Sequence, residues 1–599
     1  MAVLAFDGIT IRALVKELNP WLNSARIDKI YQPEKDEINI ILRHPETGTA
    51  KILISANPKW CRLHLTAEKK ENPPAPPGFC MLLRKHLEGG KILNIDQYNC
   101  DRIIIFTIQA LNDFKEWQEK LLICEFMGRH SNILLVNPIN NLIIDAMKKY
   151  DGEVSSHREV LPGKEYILPP DQGKLNPLKV DFLDFAQFMW NKAVDKTVAS
   201  SLFSAITGIS IFTAQELCRM VGIEPETPVE QCGEFELSKL YNGLKKLIAD
   251  MDHGLFTPVV AYKNLIPVEY APYPIQKAPD VTTVDSNSIS EAMDRFYSEK
   301  LALVKAESIK SNLFRTVKMH QDKLYKKKFH QESDLANAYK NLKFKLWGEL
   351  LTSYAYSINK GDTEVNVLDY YSGENITIKL DPRYTPMQNA QRYFKKYNKS
   401  NKAIKHLESL IAKNQEEIDY LDSLLVALNQ ADSLLEIREI MEEMKKGGYL
   451  KENFKTARKE QIQSTPREFV SEDGFKILVG RNNRQNDYLT FKQAARNDIW
   501  LHAQGIPGSH VIIRLPKPLE SIDEIPISTL LDAASLAACY SKAQGAEKVP
   551  VDYTFRYNVR KPTGARPGKV VYDNYWTVYV NPHSERVQKL LTQLQSSVH

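Results

Sequence analysis

Residues 404–435 have the sequence IKHLESLIAKNQEEIDYLDSLLVALNQADSLL, and this stretch decides the architecture of the middle of the chain. Apolar side chains recur in it at steps of three and four: Ile404, Leu407, Ile411, Ile418, Leu421, Leu425, Leu428 and Leu435. Polar Asn414 and Asp432 fill the two gaps in that series. Such a repeat places its members along one face of a helix, so the stretch predicts a coiled-coil seam whose polar positions could set the register.

A second long charged helix is expected over residues 290–357, ahead of that seam. Between the two helices, apolar residues 365–368 and 376–378 flank Ser372 and Gly373, a pattern typical of a β-hairpin. We therefore predict an antiparallel coiled-coil arm over 288–447 that carries a small inserted unit at about 358–385. Two unrelated surface helices are the alternative. Residues 270–288, rich in Pro, Asp, Thr and Ser, indicate the domain boundary before the arm.

The chain before the arm predicts two domains. Residues 1–168 combine helical periods at 9–18 and 79–87 with short strand-like runs at 38–42, 51–54, 61–65, 92–98, 102–111, 120–126 and 133–136, which indicates a β-meander domain with helices. Residues 169–270 are mainly helical, and the helices at 199–208 and 212–221 are separated only by a tight turn. This turn either presents backbone N–H groups to a phosphate or belongs to a plain helical hairpin.

After the arm, residues 465–582 predict a C-terminal α+β domain. Its expected strands are 476–479, 511–514, 551–555 and 577–580, and its expected helix is 530–541. The fold class predicted for the whole chain is therefore multidomain α+β.

Composition excludes several classes of protein. The 599 residues include 79 Lys and Arg against 74 Asp and Glu, a formal charge of only +5, so a nucleic-acid surface requires local clustering of cations. No apolar run approaches the roughly 20 residues of a membrane helix, and the first residues lack the basic lead of a signal peptide. The seven cysteines form no CxxC pair, which indicates reduced thiols in a cytoplasmic protein. We expect no metal, no cofactor and no GxxxxGK[ST] nucleotide loop.

Several longer motifs resemble those of the NFACT family. The C-terminal stretch DIWLHAQGIPGSHVIIR (498–514) is similar to the signature of its RNA-binding domain. FDG (6–8), CDR (100–102) and EFMGRHSN (125–132) resemble its N-terminal domain, and NAQRYFKKY (389–397) fits its coiled-coil insertion. The motifs extend along the whole chain in the family order.

The resemblance implies a role in ribosome-associated quality control. Members of the family bind a large ribosomal subunit that still carries peptidyl-tRNA, and bacterial members recruit alanyl-tRNA. The nascent chain then gains an untemplated alanine tail that marks it for degradation. The ribosome performs the peptidyl transfer, so no enzyme activity is expected of the chain itself. The arm is expected to reach the ribosomal stalk base.

The resemblance also implies a tRNA site in the N-terminal domain. Its residues would be Asp101, Arg102, Asp7, Glu125, Phe126, Met127, Arg129 and His130. The planar guanidinium of Arg102 could clamp a phosphate or stack on a base, with Asp101 orienting it. Structural alternatives are a strand-end salt bridge for Asp101 and Arg102, a helix N-cap for Asp7, and an ordered turn for residues 125–132.

Basic stretches with interleaved aromatics suggest contacts to ribosomal RNA. They are KLYKKKF (323–329) with Lys326, Lys327 and Lys328, and RYFKKYNK (392–399) with Arg392, Lys395 and Lys396. Cations would meet phosphates and rings would meet bases. Arg560, Lys561, Arg566 and Lys569 add a basic Gly/Pro loop. Solvated helix faces are the alternative for the two stretches.

His502, Ser509 and His510 could suggest Ser–His catalysis. The sequence around Ser509 is not a strand–turn–helix nucleophile elbow, and no acidic partner is evident. These residues either form a polar loop that faces RNA or satisfy one another inside the fold.

Two other functions are alternatives. A surface adhesin that binds fibronectin would need a signal peptide or an anchor, and neither is evident. A formamidopyrimidine-type DNA glycosylase would need an N-terminal proline followed by glutamate, whereas positions 2 and 3 hold Ala2 and Val3. Four zinc-binding cysteines at the end of the chain are also absent.

Overall fold

The computed structural model describes residues 6–112, 114–153, 157–191, 196–276, 280–451, 464–519 and 521–596. The chain forms two compact units, Met1–Ala302 and Leu303–His599. Among the described residues, no helix combines the length and the apolar character needed to cross a bilayer.

Within these residues the helices are α1 (Gly8–Leu22), α2 (Gly78–Leu87), α3 (Phe182–Asn191), α4 (Val198–Ala205), α5 (Ile211–Met220), α6 (Glu234–His253), α7 (Ile289–Lys340), α8 (Phe344–Ser353), α9 (Pro386–Gln430), α10 (Leu434–Lys446), α11 (Asn483–Tyr488), α12 (Ile527–Cys539) and α13 (Glu585–Ser596).

The strands are β1 (Arg26–Glu34), β2 (Glu37–His44), β3 (Gly48–Ser55), β4 (Arg62–Leu65), β5 (Lys91–Gln97), β6 (Ile103–Leu111), β7 (Trp117–Glu125), β8 (Asn132–Asn137), β9 (Leu142–Ala146), β10 (Val259–Lys263), β11 (Ile266–Ala271), β12 (Thr282–Asp285), β13 (Glu364–Leu368), β14 (Asn375–Lys379), β15 (Arg467–Val470), β16 (Lys476–Val479), β17 (Ile499–Ala503), β18 (Val511–Ile513), β19 (Val549–Phe555), β20 (Val559–Arg560), β21 (Val571–Tyr572) and β22 (Trp576–Val580).

The first unit contains the predicted β-meander together with two strands, β1 and β9, that the sequence pattern did not predict. Its sheet has the order β4-β3-β2-β1-β5-β6-β7-β8-β9, and all of its neighbouring strands are antiparallel. The halves β1–β4 and β5–β9 are joined where Arg26 pairs with Lys91, and flanking backbone hydrogen bonds, such as that from the Ile92 N–H to the Ala25 carbonyl at 2.9 Å, extend this contact. Apolar side chains of α1, α2 and both halves of the sheet belong to one buried core. The consecutive hairpins of the sheet therefore pack against the two helices.

The helical part of the first unit confirms the hairpin of α4 and α5. Ser210 begins α5, and its hydroxyl accepts a hydrogen bond from the Thr213 N–H at 3.1 Å. A three-stranded sheet of order β11-β10-β12 follows, and the sequence analysis did not predict it. Strand β11 contains Pro267, which argues against a strand, and β12 lies inside the segment interpreted as a domain boundary.

The second unit contains the antiparallel coiled coil. Lys310 of α7 donates to the carbonyls of Asn429 and Ala431 at 3.1 and 3.0 Å, whereas Leu324 accepts from the Asn414 side chain at 3.0 Å. Residues further along α7 therefore meet residues earlier in α9, as antiparallel helices require.

The predicted seam is correct up to Leu428 and wrong beyond it. Helix α9 ends at Gln430, so Asp432 lies between helices and Leu435 belongs to α10. The Ser433 hydroxyl accepts from the Glu436 N–H at 3.2 Å and starts a new helix there. The first arm helix is also shorter than predicted, because a 3₁₀ turn at Asn341–Lys343 separates α7 from α8.

The inserted unit and the C-terminal domain complete the second unit. Hairpin β13–β14 packs with α8 and the first turns of α9 around Leu350, Ile378 and Tyr393. The C-terminal sheet has the order β15-β16-β18-β17-β19-β22, and α12 covers one of its faces. The other face buries Trp500.

Candidate RNA interface

Two loops of the predicted tRNA site lie at the same end of the N-terminal sheet. Ile103 at the start of β6 pairs with Glu125 at the end of β7, because these strands are antiparallel neighbours. The Phe126 N–H donates to the carbonyl oxygen of Arg102 at 2.9 Å. The fold therefore brings Asp101 and Arg102 next to Phe126, where the loop of residues 126–130 begins, although the sequence separates them by about 25 positions.

Asp101 and Arg102 do not form the strand-end salt bridge that the sequence left open. The Asp101 carboxylate accepts from the backbone N–H of Arg102 at 2.7 Å. Among the described residues, the half-buried Arg102 side chain has no hydrogen bond or ion pair. Within the described part of the chain, the N–H groups of this guanidinium are therefore available to a ligand.

A network that sequence analysis missed holds this loop in place. The Gln97 amide donates to the carbonyls of Gly8 and Asp101 at 2.8 and 2.9 Å. The Gly8 N–H donates to the Gly208 carbonyl at 2.6 Å. The Arg102 loop, the first turn of α1 and the turn between α4 and α5 therefore meet at one point.

Asp7 lies inside this junction and is buried. One carboxylate oxygen accepts from the Thr10 N–H at 3.0 Å, which confirms the N-cap interpretation for α1. The other accepts from the Ser210 N–H at 2.9 Å and the Thr213 hydroxyl at 2.6 Å. Since Asp7 already occupies the Ser210 N–H at the start of α5, the structure corresponds to the plain helical hairpin.

Glu125 and Phe126 face the protein interior. Glu125 accepts from both terminal nitrogens of Arg158 at 2.7 and 2.5 Å and from the Tyr166 hydroxyl at 3.0 Å. The Phe126 ring packs edge-to-face on Phe6 with 4.9 Å between centroids. Both side chains are fully buried, so they support the loop from beneath and do not lie on its surface.

The rest of that loop is accessible. Met127 is half-buried, whereas Arg129 and His130 are exposed. The Arg129 Nε donates to the Nε2 of His130 at 2.9 Å. The structure thus divides the predicted tRNA residues into an accessible set and a supporting set. The accessible set is Asp101, Arg102, Met127, Arg129 and His130.

The basic stretch on α7 has the expected character. Lys326 and Lys327 are exposed, and the neighbouring Tyr325 and Phe329 rings are 47% and 69% exposed. Lys328 instead donates to Gln415 of α9 at 2.7 Å. This face of the arm can offer cations and rings together.

The stretch at the start of α9 exposes its cations but not all of its rings. Arg392, Lys395 and Lys396 are exposed, but Arg392 forms an ion pair with Asp381 at 3.2 Å. Tyr393 is buried, and its hydroxyl donates to the Lys379 carbonyl at 2.6 Å. Phe394 packs against Gly348 of α8. The expectation that these two rings meet bases is therefore wrong, because they stabilise the inserted unit.

The basic loop of the C-terminal domain is paired internally. Arg560 contacts Asp573 at 2.8 Å, and Lys561 forms an ion pair with Asp487. Arg566 forms an ion pair with Glu417 of α9.

Ser509 and His510 are satisfied inside the fold. The Ser509 hydroxyl donates to the Gly480 carbonyl at 2.6 Å, and His510 Nδ1 lies 2.7 Å from the Thr490 hydroxyl. His502 stacks on Trp500 and remains half-buried. Burial lowers the pKa of His502 to about 4 and that of His510 to about 3, so both imidazoles are neutral near pH 7. Among the described residues, the Ser509 hydroxyl donates to a backbone carbonyl and not to an imidazole, so the geometry is not that of a Ser–His catalytic pair.

The described residues contain no group of three or more His, Cys, Asp or Glu side chains that could hold a metal ion. The described cysteines are free thiols.

Comparison with known proteins covers nearly the whole chain. Residues 7–463 match the NFACT N-terminal and middle domains, and residues 466–574 match the NFACT protein RNA-binding domain. The chain is 38% identical over 594 residues to the Rqc2 homolog RqcH of Bacillus subtilis, covering 98% of this chain and 100% of that protein. It is 34% identical to the Rqc2 homolog RqcH of Streptococcus suis, with the same coverage.

Among solved structures, the fibrinogen binding protein from Staphylococcus aureus is 27% identical, with a TM-score of 0.42, and covers 49% of this chain and 99% of its own. The two family models occur in the order that the sequence motifs predicted, and the RqcH relatives align from end to end. The chain belongs to the NFACT family, with RqcH-type Rqc2 homologues among its full-length relatives.

Proposed function

We propose that this protein is a ribosome quality control factor. It binds a large ribosomal subunit that carries peptidyl-tRNA and recruits alanyl-tRNA, so that the nascent chain receives an untemplated C-terminal alanine tail that marks it for degradation. Its full-length similarity to RqcH proteins and its RNA-binding domain support this proposal. The ribosome performs the chemistry, and the protein, acting in the cytoplasm, positions the tRNA.

The observation that carries the proposal is the Arg102 guanidinium, which has no ion pair among the described residues and lies in the loop next to the one that exposes Arg129 and His130. A polyanion can approach this end of the sheet without first breaking an internal ion pair of Arg102. The exposed Lys326 and Lys327 lie on the arm in the other unit and are assigned to ribosomal RNA, as are Arg392, Lys395 and Lys396. The proposal thus separates tRNA recruitment from subunit docking, and it assigns contact with the stalk base to the arm.

Sedimentation and sequencing test this function. The full chain should sediment with large subunits at low salt and leave them as salt rises, because phosphate contacts release counterions. Sequencing of the RNA that co-purifies should show alanine tRNA together with ribosomal RNA. Mass spectrometry of stalled nascent chains should detect alanine tails only when the protein is present. A protein found entirely in the ribosome-free fraction at low salt would contradict the proposal.

A further inference from the structure

The Gly/Pro loop at residues 560–569, here called the basic loop, carries four cations that each face a carboxylate. Arg560 pairs with Asp573 at 2.8 Å and Lys561 pairs with Asp487. Arg566 pairs with Glu417, and Lys569 pairs with Glu416 at 2.9 Å. The sequence suggested that the cations of this loop contact RNA. In the structure, each of them already forms an ion pair with a carboxylate of the same chain.

Two of these carboxylates belong to the arm and not to the RNA-binding domain. Glu416 and Glu417 are neighbours on α9. The Arg566 guanidinium lies over the Tyr420 ring at 4.5 Å, and its Nη1 donates to the Tyr449 hydroxyl at 2.5 Å. The Tyr449 hydroxyl in turn donates to Glu417. The basic loop is thus attached to α9 through one anchored arginine and one peripheral lysine.

Carboxylate and phosphate oxygens accept hydrogen bonds from Arg and Lys in the same way, and Arg binds both through its fork of N–H groups. A carboxylate at such a position therefore competes with an RNA phosphate. We propose that the basic loop is a binding site for RNA phosphates and that Glu416 and Glu417 block this site as competing anions. RNA binding then detaches the loop from the arm. This inference rests on the proposed function, since it assumes an RNA-binding C-terminal domain.

The exposure of the pairs suggests the order in which they exchange. Lys569 and Glu416 are 48% and 64% exposed, and ion pairs of this kind contribute little to stability. Arg566 and Glu417 are 38% and 28% exposed, and the two tyrosines hold the guanidinium in place. RNA can therefore replace Glu416 easily, whereas displacement of Glu417 is the step that controls release.

The test uses the full chain and a short fluorescein-labelled polyuridine as the probe. Glu416→Gln with Glu417→Gln removes the competing anions and keeps the side-chain volumes. Glu364→Gln with Glu408→Gln is the matched control, because both of those carboxylates are exposed in the same unit and the change in net charge is identical. The first variant should bind the probe about three- to tenfold more tightly than the control, since it removes both carboxylates that compete with RNA phosphates.

Arg566→Ala, added to the variant that lacks both competing carboxylates, should cancel this gain. Glu416→Gln alone breaks only an exposed ion pair, so it should give a smaller gain in affinity for the probe without affecting the fold. This single variant keeps the test valid even if the double variant has a low melting temperature. Equal affinities of the two double variants would overturn the proposal. A gain for polyglutamate without a gain for polyuridine would also overturn it, because the loop would then bind an acidic protein.

The outcomes are separable from those for the proposed function. If wild type fails to sediment with large subunits, the proposed function fails. If wild type sediments with them and the variant with Glu416→Gln and Glu417→Gln behaves like the control, only the competing-anion inference fails.

Discussion

Gly208 and the carbonyl oxygen of Cys100 are packed so closely that a Cβ atom on residue 208 would lie 1.7 Å from that oxygen. Gly208 also has φ +80, a conformation that side chains rarely adopt. The turn between α4 and α5 therefore packs directly against the backbone of the Arg102 loop. Only glycine at position 208 allows this contact.

Gly208→Ala should be strongly destabilising. It combines left-handed strain with a backbone clash, and we expect a loss of at least about 3 kcal/mol in the free energy of unfolding. Gly222 has φ +76 but nothing within 4 Å of its added Cβ, so Gly222→Ala should cost only about 1–2 kcal/mol. Urea unfolding of both full-length variants measures the difference. Equal losses would show that the contact with Cys100 has little energetic weight.

Asp101→Ala with Arg102→Ala should abolish alanine tailing and remove tRNA from large-subunit complexes. The melting temperature should stay near that of wild type, because Arg102 has no internal ion pair among the described residues. Docking should survive, since the arm and the C-terminal domain are unchanged. Normal tailing with retained tRNA would remove both residues from the proposed site.

The loop that follows β7 should respond differently at its buried and exposed positions. Glu125→Gln removes the buried carboxylate that forms the ion pair with Arg158 and should cost about 3–5 kcal/mol. Glu119→Gln, at an exposed position on the same strand, should be nearly neutral. Thermal unfolding compares the two. Arg129→Ala with His130→Ala should leave stability unchanged and weaken tRNA binding, as measured by the tRNA content of subunit complexes.

Leu421→Asp should disrupt the arm. Leu421 is fully buried in the seam of α9, and an unpaired charge there should cost several kcal/mol, roughly the penalty for an isolated buried ion. Ala412→Asp, at an exposed position of the same helix, is the control. We expect the Leu421 variant to lose subunit binding in sedimentation while the N-terminal and C-terminal domains remain protected from proteolysis. Normal binding would mean that the arm does not mediate docking.

Acid should destabilise the C-terminal domain through its two neutral histidines. The pKa values of His502 and His510 in the folded chain, about 4 and about 3, lie below the unfolded value of about 6.5. Their contribution is therefore complete above about pH 6.5 and is lost as the pH falls, by about 2 kcal/mol for each histidine at pH 5.

His510→Gln should make the dependence of the free energy of unfolding on pH shallower between pH 7 and pH 5. Urea titrations at the two pH values measure the slope for wild type and variant, and the carboxylates common to both proteins cancel in the comparison. An unchanged slope would indicate that His510 is not the titrating group.

Local patterns in the sequence determined most of the secondary structure. The three-and-four spacing of residues 404–428 predicted a buried seam, because helical periodicity alone determines which side chains share a face. Alternation and turn residues predicted many of the strands in the end domains. The failures include β1, a nine-residue strand at the centre of the first sheet, as well as β9, β10–β12, β15, β17 and the end of α9. At the end of α9 a helix cap overrides the periodic pattern.

The motifs also indicated the family, since residue identities in a fixed order are a property of the sequence itself. They did not show which motif side chains are accessible. Glu125 and Arg129 belong to one motif, yet one is buried on Arg158 and the other is exposed. Whether a side chain of this motif is buried or exposed depends on which side of the sheet end it lies on.

Only the tertiary structure decided which charges are free. Arg102 and Arg566 are both predicted RNA contacts, but Arg102 has no internal anion among the described residues, whereas Arg566 is held by Glu417, 149 positions away in the sequence. Nothing local in the chain specifies such a pair. Because an electrostatic contact depends on distance in space, the fold determines it by bringing α9 next to the basic loop.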